Sequence, residues 1–407
     1  MEAIKASKSV IRRGFGLKEE VRHLLIEDFY SELVARVKSQ KGILKVGRLN
    51  FRLAEEFGFC YGVDFALNLV YETRRKFHDR RILLMSEILH NPKVNLQLRQ
   101  MGIEFLDSSP GKPDRFSRIT ADDIVVVPAF GATLSEYEQL QDKGCLVVDT
   151  TCGSVVAVWK RVERYAQDGF TAIIHGKYDH EETRATSSRT FKYQGGKYLV
   201  VLNQDEAAYV CRYIVEGRDK QEFLRNFEKA CSPGFDPDRD LRCIGLANQT
   251  TMLSNESVKI AEMFRDAIVR RYGSEAAADR FRHFDTICTA TQERQDAVKK
   301  LAQEHIDLMI VIGGYNSSNT THLCEISSLY KPTYHISDAD CVISSTLIRH
   351  KPIGQQWETL VDNWLPNGEV GLGLTAGAST PGRSIGEVME RIVNCCFAGS
   401  SAYEVSE

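Results

Sequence analysis

From about residue 48 onward, short apolar runs alternate with stretches in which apolar residues recur every three to four positions. The runs predict buried strands over Ile82–Leu84, Ile124–Val127, Leu146–Val148, Ala172–Ile174, Leu199–Leu202, Ile244–Ala247, Leu308–Ile312 and Val370–Leu374. The periodic stretches predict helices over Val63–Phe77, Ser154–Gln167, Glu256–Tyr272 and Gln292–Gln303. Short strands between helices of this length imply α/β layering with mostly parallel sheets. Ahead of them, Val21, Leu24, Leu25, Phe29, Leu33 and Val37 stand at helical spacing and predict one amphipathic helix packed on the main body. Loops rich in Pro, Gly and Ser fall at 107–120 and 231–240, and a third, with two prolines, around 351–367.

One local pattern occurs three times. Cys60 lies between glycines in Gly58-Phe59-Cys60-Tyr61-Gly62, where an extended run gives way to a helical one. Asp149-Thr150-Thr151-Cys152 and Asp285-Thr286-Ile287-Cys288 resemble it, and a valine stands ten residues after each cysteine, at Val70, Val162 and Val298. An apolar strand then follows at a similar distance in each copy. The repetition predicts three similar α/β lobes, each offering one thiol from a strand-to-helix loop, the usual place for a ligand site in such folds.

Composition narrows the chemistry. The chain has 407 residues, 43% hydrophobic and 26% charged, with a net charge of −3. That length predicts two or three domains, and the charge supplies no general drive toward nucleic acid or membrane. No apolar stretch reaches the roughly 20 residues of a membrane span. The eleven cysteines include no CxxC pair, and no secretory leader opens the chain, so the thiols are expected to be reduced. Cys145, Cys211, Cys243, Cys324 and Cys341 sit in strand or helix patterns and are expected to be small buried hydrophobes. Cys60, Cys152 and Cys288 suit a ligand role. Three thiolates fit an iron–sulfur cluster with one iron open to substrate; zinc is the alternative, which spacing alone does not exclude.

Two further loops have the form of anion sites. Leu308–Ile312 runs into Gly313-Gly314-Tyr315-Asn316-Ser317-Ser318-Asn319, and Val370–Leu374 into Thr375-Ala376-Gly377-Ala378-Ser379, each opening a helix. Such loops present N–H and O–H donors to a phosphate, although the same Ser, Asn and Thr can serve as helix caps. His90 and His180 stand at strand-end loops, where function is expected over packing, while His78, His283 and His305 are expected on the surface. Glu182, two residues after His180, is by spacing alone an ordinary loop carboxylate.

Gly58–Val63, Glu87–Asn91, Thr151-Cys152, Gln249-Thr250-Thr251, Ile287–Thr291 with Arg294-Gln295, Asn316–Asn319 and Thr375–Ser379 occur in one order. Together they resemble the 4-hydroxy-3-methylbut-2-enyl diphosphate reductase family of the non-mevalonate isoprenoid pathway, over about residues 48–395. The N-terminal extension and Ile174-His175-Gly176-Lys177-Tyr178 are similar to its longer plant and cyanobacterial branch. The resemblance implies a trefoil of three lobes around a [4Fe–4S] cluster held by Cys60, Cys152 and Cys288. It implies substrate binding by His90, His180, Thr250, Ser317, Ser318, Asn319 and Ser379, with Glu182 as proton donor. It further implies a ferredoxin or flavodoxin as electron donor. Independently, no glycine-rich dinucleotide fingerprint follows any predicted strand, so the electrons are expected to come from outside the chain. Two positions depart from the family pattern. Phe130 stands where short bacterial members carry histidine, and Gly153 follows Cys152 where proline is usual.

The expected organisation is an N-terminal helical extension over 1–47, lobes over 48–151, 152–284 and 285–396, and a tail over 397–407. The expected setting is the bacterial cytoplasm, or alternatively a plastid stroma. Two other readings share the three cysteines: a non-redox hydro-lyase acting on a carboxylic acid, and a non-enzymatic sensor whose cluster or zinc controls a partner. Dependence on an electron donor separates the first from a reductase. The second calls for a basic stripe or exposed partner helix, and beyond the first 50 residues the sequence offers neither.

Overall fold

The computed structural model describes residues 10–106, 114–284 and 286–397. Asp285, the tail beyond Phe397, residues 1–9 of the N-terminal extension and the first part of the 107–120 loop lie outside the described residues. Packing divides the chain into two units. Among the described residues, one holds the stretch up to Arg12, Arg80–Ser86 and Glu104–Cys288; the other holds Arg13–Asp79, Glu87–Ile103 and the chain from Thr289.

The first unit carries two wholly parallel sheets. One has the order Val10–Ile11, Leu146–Asp149, Ile124–Val127, Ile82–Leu84, Glu104–Phe105. The other has the order Phe281–His283, Ile244–Asn248, Thr171–His175, Tyr198–Val201. Their central strands are apolar on both faces, Ile124–Val127 being entirely buried, as strands covered by helices on each side must be. The second unit carries a third sheet, Thr333–Ile336, Leu308–Ile312, Val370–Ala376, Leu49–Leu53, Ile43–Val46, parallel except for its last pair. An antiparallel hairpin, Leu347–His350 with Thr359–Asp362, completes it. The α/β class with mostly parallel sheets is therefore as expected.

Leu49–Leu53, at the start of the 48–151 range, does not join the sheet formed by the other strands of that range. It pairs with Val370–Ala376, which lies near the other end of the chain. Nor is the N-terminal extension purely helical, since Val10–Ile11 and Ile43–Val46 are strands at two sheet edges. Each cysteine-led helix carries the chain from one sheet to another: Tyr61–Lys76 from the third to the first, Gly153–Gln167 from the first to the second, Thr289–Ala302 from the second to the third. The repeat thus links three mostly parallel sheets in succession, one cysteine-led helix leaving each sheet for the next. Its packing signature is real, because Val70, Val162 and Val298 are each fully buried.

The amphipathic segment from Val21 to Val37 is two helices, Lys18–Phe29 and Glu32–Ser39. Tyr30 is extended, and the Ser31 hydroxyl accepts the Val34 N–H as an N-cap, so a polar side chain restarts the helix that apolar spacing alone would continue. The 351–367 stretch also differs from expectation, contributing the second strand of the hairpin.

Candidate active site

In the second unit, Cys60 is the N-cap of the helix Tyr61–Lys76. Its N–H donates to the Ala378 carbonyl at 3.3 Å, and Gly58 turns the chain into position at φ 75°, a conformation that favours glycine. Arg294, 3% exposed, holds this loop from behind. Its Nη2 donates to Gly58 O at 2.8 Å and Phe59 O at 3.1 Å, and its Nε to Gly58 O at 3.2 Å. Sequence reasoning gave Arg294 no role. The available signal was a charged residue on the inward face of Thr289–Ala302, between the buried Ala290 and Val298.

The two glycine- and hydroxyl-rich loops of this unit meet each other and the His90 loop. Asn319 accepts the Ala378 N–H through Oδ1 at 2.9 Å. Its Nδ2 is buried with no acceptor among the described residues, an arrangement that costs free energy unless something else accepts from it. Ser379 donates to the His90 carbonyl at 3.3 Å. A side chain at Gly314 would put its Cβ 2.3 Å from that carbonyl, so the close approach of the loops depends on glycine there. His90 Nδ1 lies 3.2 Å from Glu87 Oε2 and 3.3 Å from Asn316 Nδ2. Burial raises the Glu87 carboxyl, but hydrogen bonds from His90 and Asn316 outweigh it and hold its pKa below the usual range. Ser317 does act as a helix cap, its Oγ accepting the Thr320 N–H at 3.3 Å, and Ser318 is buried in the first turn.

In the first unit, Cys152 is the N-cap of Gly153–Gln167, and its N–H donates to Ala129 O at 3.0 Å. Asp149, just upstream, accepts the Thr151 N–H at 3.0 Å, the Tyr137 hydroxyl at 2.7 Å and Arg12 Nε at 2.8 Å. Burial beside Asp149 raises the Tyr137 phenol, which keeps it a donor. Cys288 ends the unit, its N–H 3.4 Å from Thr250 O.

His180 caps the helix Glu181–Ser188. Its Nδ1 accepts the Glu182 N–H at 3.1 Å, which leaves Nε2 as the ring's proton-bearing nitrogen in the neutral form. The Phe130 ring meets the His180 ring edge-on, with centroids 5.6 Å apart. Glu182 is not the ordinary loop carboxylate that spacing suggested. It is 2% exposed, accepting the Thr250 N–H at 2.6 Å and the Thr250 hydroxyl at 3.0 Å. Gln249 fixes the facing loop by accepting from Lys177 N and Thr183 Oγ1, both at 3.1 Å.

The expected site residues thus form two groups. Cys60, His90, Ser317, Ser318, Asn319 and Ser379 belong to the second unit, and Cys152, His180, Glu182, Thr250 and Cys288 to the first. No disulfide joins any of the eleven cysteines. Among the described residues, no three His, Cys, Asp or Glu side chains form a ready metal-binding group. The setting of each thiol still suits a soft anionic ligand, since Cys60 and Cys152 cap helices and Cys288 precedes one, where first-turn N–H groups favour negative charge. Among the described residues no helix is long and apolar enough to cross a membrane.

Comparison with known proteins gives the class and then the family. The chain is 49% identical over 399 residues to the 4-hydroxy-3-methylbut-2-enyl diphosphate reductase of Gloeobacter violaceus, covering 97% of this chain and 94% of that one. It is 48% identical to the reductase of the same name from Thermosynechococcus vestitus, covering 99% and 98%. A solved structure of (E)-4-hydroxy-3-methyl-but-2-enyl diphosphate reductase, the terminal enzyme of the non-mevalonate pathway, matches with a TM-score of 0.50 at 26% identity, covering 84% of this chain and 98% of that one. The E-1-hydroxy-2-methyl-but-2-enyl-4-diphosphate reductase structure from Plasmodium falciparum shares the fold, with a TM-score of 0.62 at 20% identity over 88% of this chain and 94% of that one. The protein is an α/β enzyme of the oxidoreductase class. The family described as LytB protein matches residues 51–393, and the chain belongs to it.

Proposed function

We propose that the protein converts 4-hydroxy-3-methylbut-2-enyl diphosphate to isopentenyl and dimethylallyl diphosphates. Two electrons and two protons are consumed, the allylic C–O bond breaks, the oxygen leaves as water, and one C–H bond forms. The buried Glu182 carboxylate, held on Thr250, carries the reading: it is a proton-handling group kept away from bulk water in an enzyme of this family.

Cys60, Cys152 and Cys288 are the proposed holders of a [4Fe–4S] cluster, which when bound supplies the electrons and a Lewis-acidic iron for the allylic oxygen. The chain's own residues supply the rest. Asn319 Nδ2, the Ser317 and Ser318 hydroxyls and Ser379 are assigned to the diphosphate, an assignment supported by the unmet donor on Asn319. His90 and His180 are assigned to the diphosphate with them. Thr250 orients the Glu182 carboxyl, which gives up the proton that leaves with the oxygen. An external one-electron carrier of the ferredoxin or flavodoxin type is the proposed donor.

An anaerobic assay tests this. The chain, purified without oxygen, is given the allylic diphosphate and a reduced viologen dye, with iron and sulfide counted on the same sample. Dye consumption with both C5 diphosphates as products is expected. Intact cluster without dye consumption would point to a hydro-lyase or sensor, and zinc without sulfide would reject the ligand assignment. Cys288→Ser should lower iron content and abolish turnover, whereas Cys341→Ser, at a fully buried position, should leave iron content unchanged.

A further inference from the structure

The loop Gly313–Asn319 is gripped at Tyr315 by groups that none of its proposed binding roles requires. The Tyr315 hydroxyl donates to Glu358 Oε1 at 2.7 Å and accepts the Ser337 N–H at 3.2 Å, so its donor is used and an acceptor position is filled. Its ring stands edge-on to His335 with centroids 4.9 Å apart, and its carbonyl accepts Lys351 Nζ at 3.2 Å. His335 in turn lies with Nε2 3.1 Å from Gly313 O, at the other end of the glycine pair. Because that partner is a carbonyl, Nε2 must carry the proton. Glu358 is held from its other side by Arg349, Nε to Oε2 at 3.2 Å.

Glu358 and Arg349 belong to the hairpin built on Leu347–His350 and Thr359–Asp362, whose neighbouring Trp357 and Leu360 are 67% and 61% exposed. The hairpin anchors Ile348 in the core, and its exposed Glu358 turns a carboxylate onto the Tyr315 hydroxyl. Beyond Tyr315, Asn316 reaches Glu87 at 3.2 Å, and Ser317 begins the helix that orients Ser318 and Asn319.

We infer that Tyr315 is a positioning residue for the diphosphate loop, held in place by Glu358 of the hairpin. The inference rests on the proposed assignment of Ser317, Ser318 and Asn319 to the diphosphate. Tyr315 does not touch the reacting atoms. It fixes the backbone from which three donors project, so its loss should weaken binding of the diphosphate group without slowing the chemical step.

The full chain, purified anaerobically, is compared as wild type, Tyr315→Phe, Glu358→Ala and Glu358→Gln. Turnover gives KM and kcat, and calorimetry gives the affinity for inorganic diphosphate. Tyr315→Phe is expected to raise KM and the inorganic diphosphate Kd by about tenfold while kcat stays within about twofold, the signature of lost uniform binding. Glu358→Ala should match it, Tyr315→Phe with Glu358→Ala together should be no worse than either alone, and Glu358→Gln, which keeps an acceptor for the phenol, should recover most of the affinity. A lowered Tm with unchanged KM and Kd would overturn the inference and leave a packing role only. So would additive losses in the double variant. Wild type that binds inorganic diphosphate but turns nothing over would overturn the proposed reaction instead, while the calorimetric comparison would still decide the role of Tyr315.

Discussion

Glu182 and Thr250, 68 residues apart in sequence, meet through two hydrogen bonds, one to the Thr250 backbone N–H at 2.6 Å and one to its hydroxyl at 3.0 Å. The pair makes a buried carboxyl whose two oxygens are both fixed. Glu182→Gln keeps the volume and leaves an oxygen for the backbone N–H, while the hydroxyl can rotate to accept from the new amide. Folding, iron content and inorganic diphosphate affinity are therefore expected to stay near wild type, with kcat falling by about 100-fold or more, the usual worth of a positioned proton donor. Single-turnover and steady-state assays check this, and a normal kcat would remove Glu182 from the mechanism.

Arg294→Met should expose how the Cys60 loop is held. The substitution keeps an apolar stem but leaves the Gly58 and Phe59 carbonyls without their guanidinium donor. A buried carbonyl stripped of its partner costs about 1–3 kcal/mol, so a lower urea midpoint is expected. Iron retained per chain after anaerobic gel filtration should fall as well. Full iron retention would show that the loop holds its shape without the clamp.

Gly153→Pro is expected to stabilise. Gly153 is the first residue of its helix, where the N–H has no intrahelical acceptor and proline's fixed φ is already helical. A Cβ there meets nothing within 4 Å, and the preceding Cys152 has ψ 138°, as a residue before proline requires. A gain of about 0.4–1 kcal/mol should follow from the stiffer unfolded chain, read as a higher Tm with unchanged iron content. A loss of stability would mean that the loop needs glycine's freedom in a state other than this one.

Acid should unfold the protein through two separable groups. Burial pushes the His335 imidazole down to about 4 from its ordinary value of 6.5. Between those values the unfolded chain binds a proton that the folded chain refuses, so this contribution is complete above about 6.5 and is lost as pH falls through 4. The hydrogen bond from Arg81, with others from Thr120, holds the Asp123 carboxyl down at about 2 against burial. Its contribution is present above the ordinary carboxylate value and lost as pH falls toward 2. Urea titrations from pH 7 to 2 should show His335→Gln flattening the upper window only, and Arg81→Ala raising the acid midpoint in the lower one. Identical curves for both variants would reject the assignment.

Much of the site could be read from the residues because its signals are local. A thiol beside glycine or threonine at a strand end, and glycines followed by hydroxyls at a helix start, are short-range arrangements in the chain. The strand cores were legible for the same reason, since four or five consecutive apolar residues have few alternatives. What could not be read were side chains whose partners are distant. Glu182 has the look of a surface carboxylate until Thr250 is placed against it. Arg294 has no evident task until its helix lies behind Gly58. Tyr315 is one residue among polar neighbours until the hairpin brings Glu358.

By itself the sequence determined the alternation of strands and helices, the three thiols at strand-to-helix loops and the resemblance to one reductase family. These follow from periodicity, turn chemistry and motif order, all set by residues close together in the chain. Only the tertiary structure decided that Leu49–Leu53 completes the sheet of Val370–Ala376, that Val10–Ile11 edges the strand Leu146–Asp149, and that the N-terminal helix breaks before Ser31. A strand carries no record of its neighbour, because its hydrogen-bonding edges are the same backbone groups in every strand. The choice of partner is made by burial of the side chains above and below the sheet, which depends on the whole fold at once.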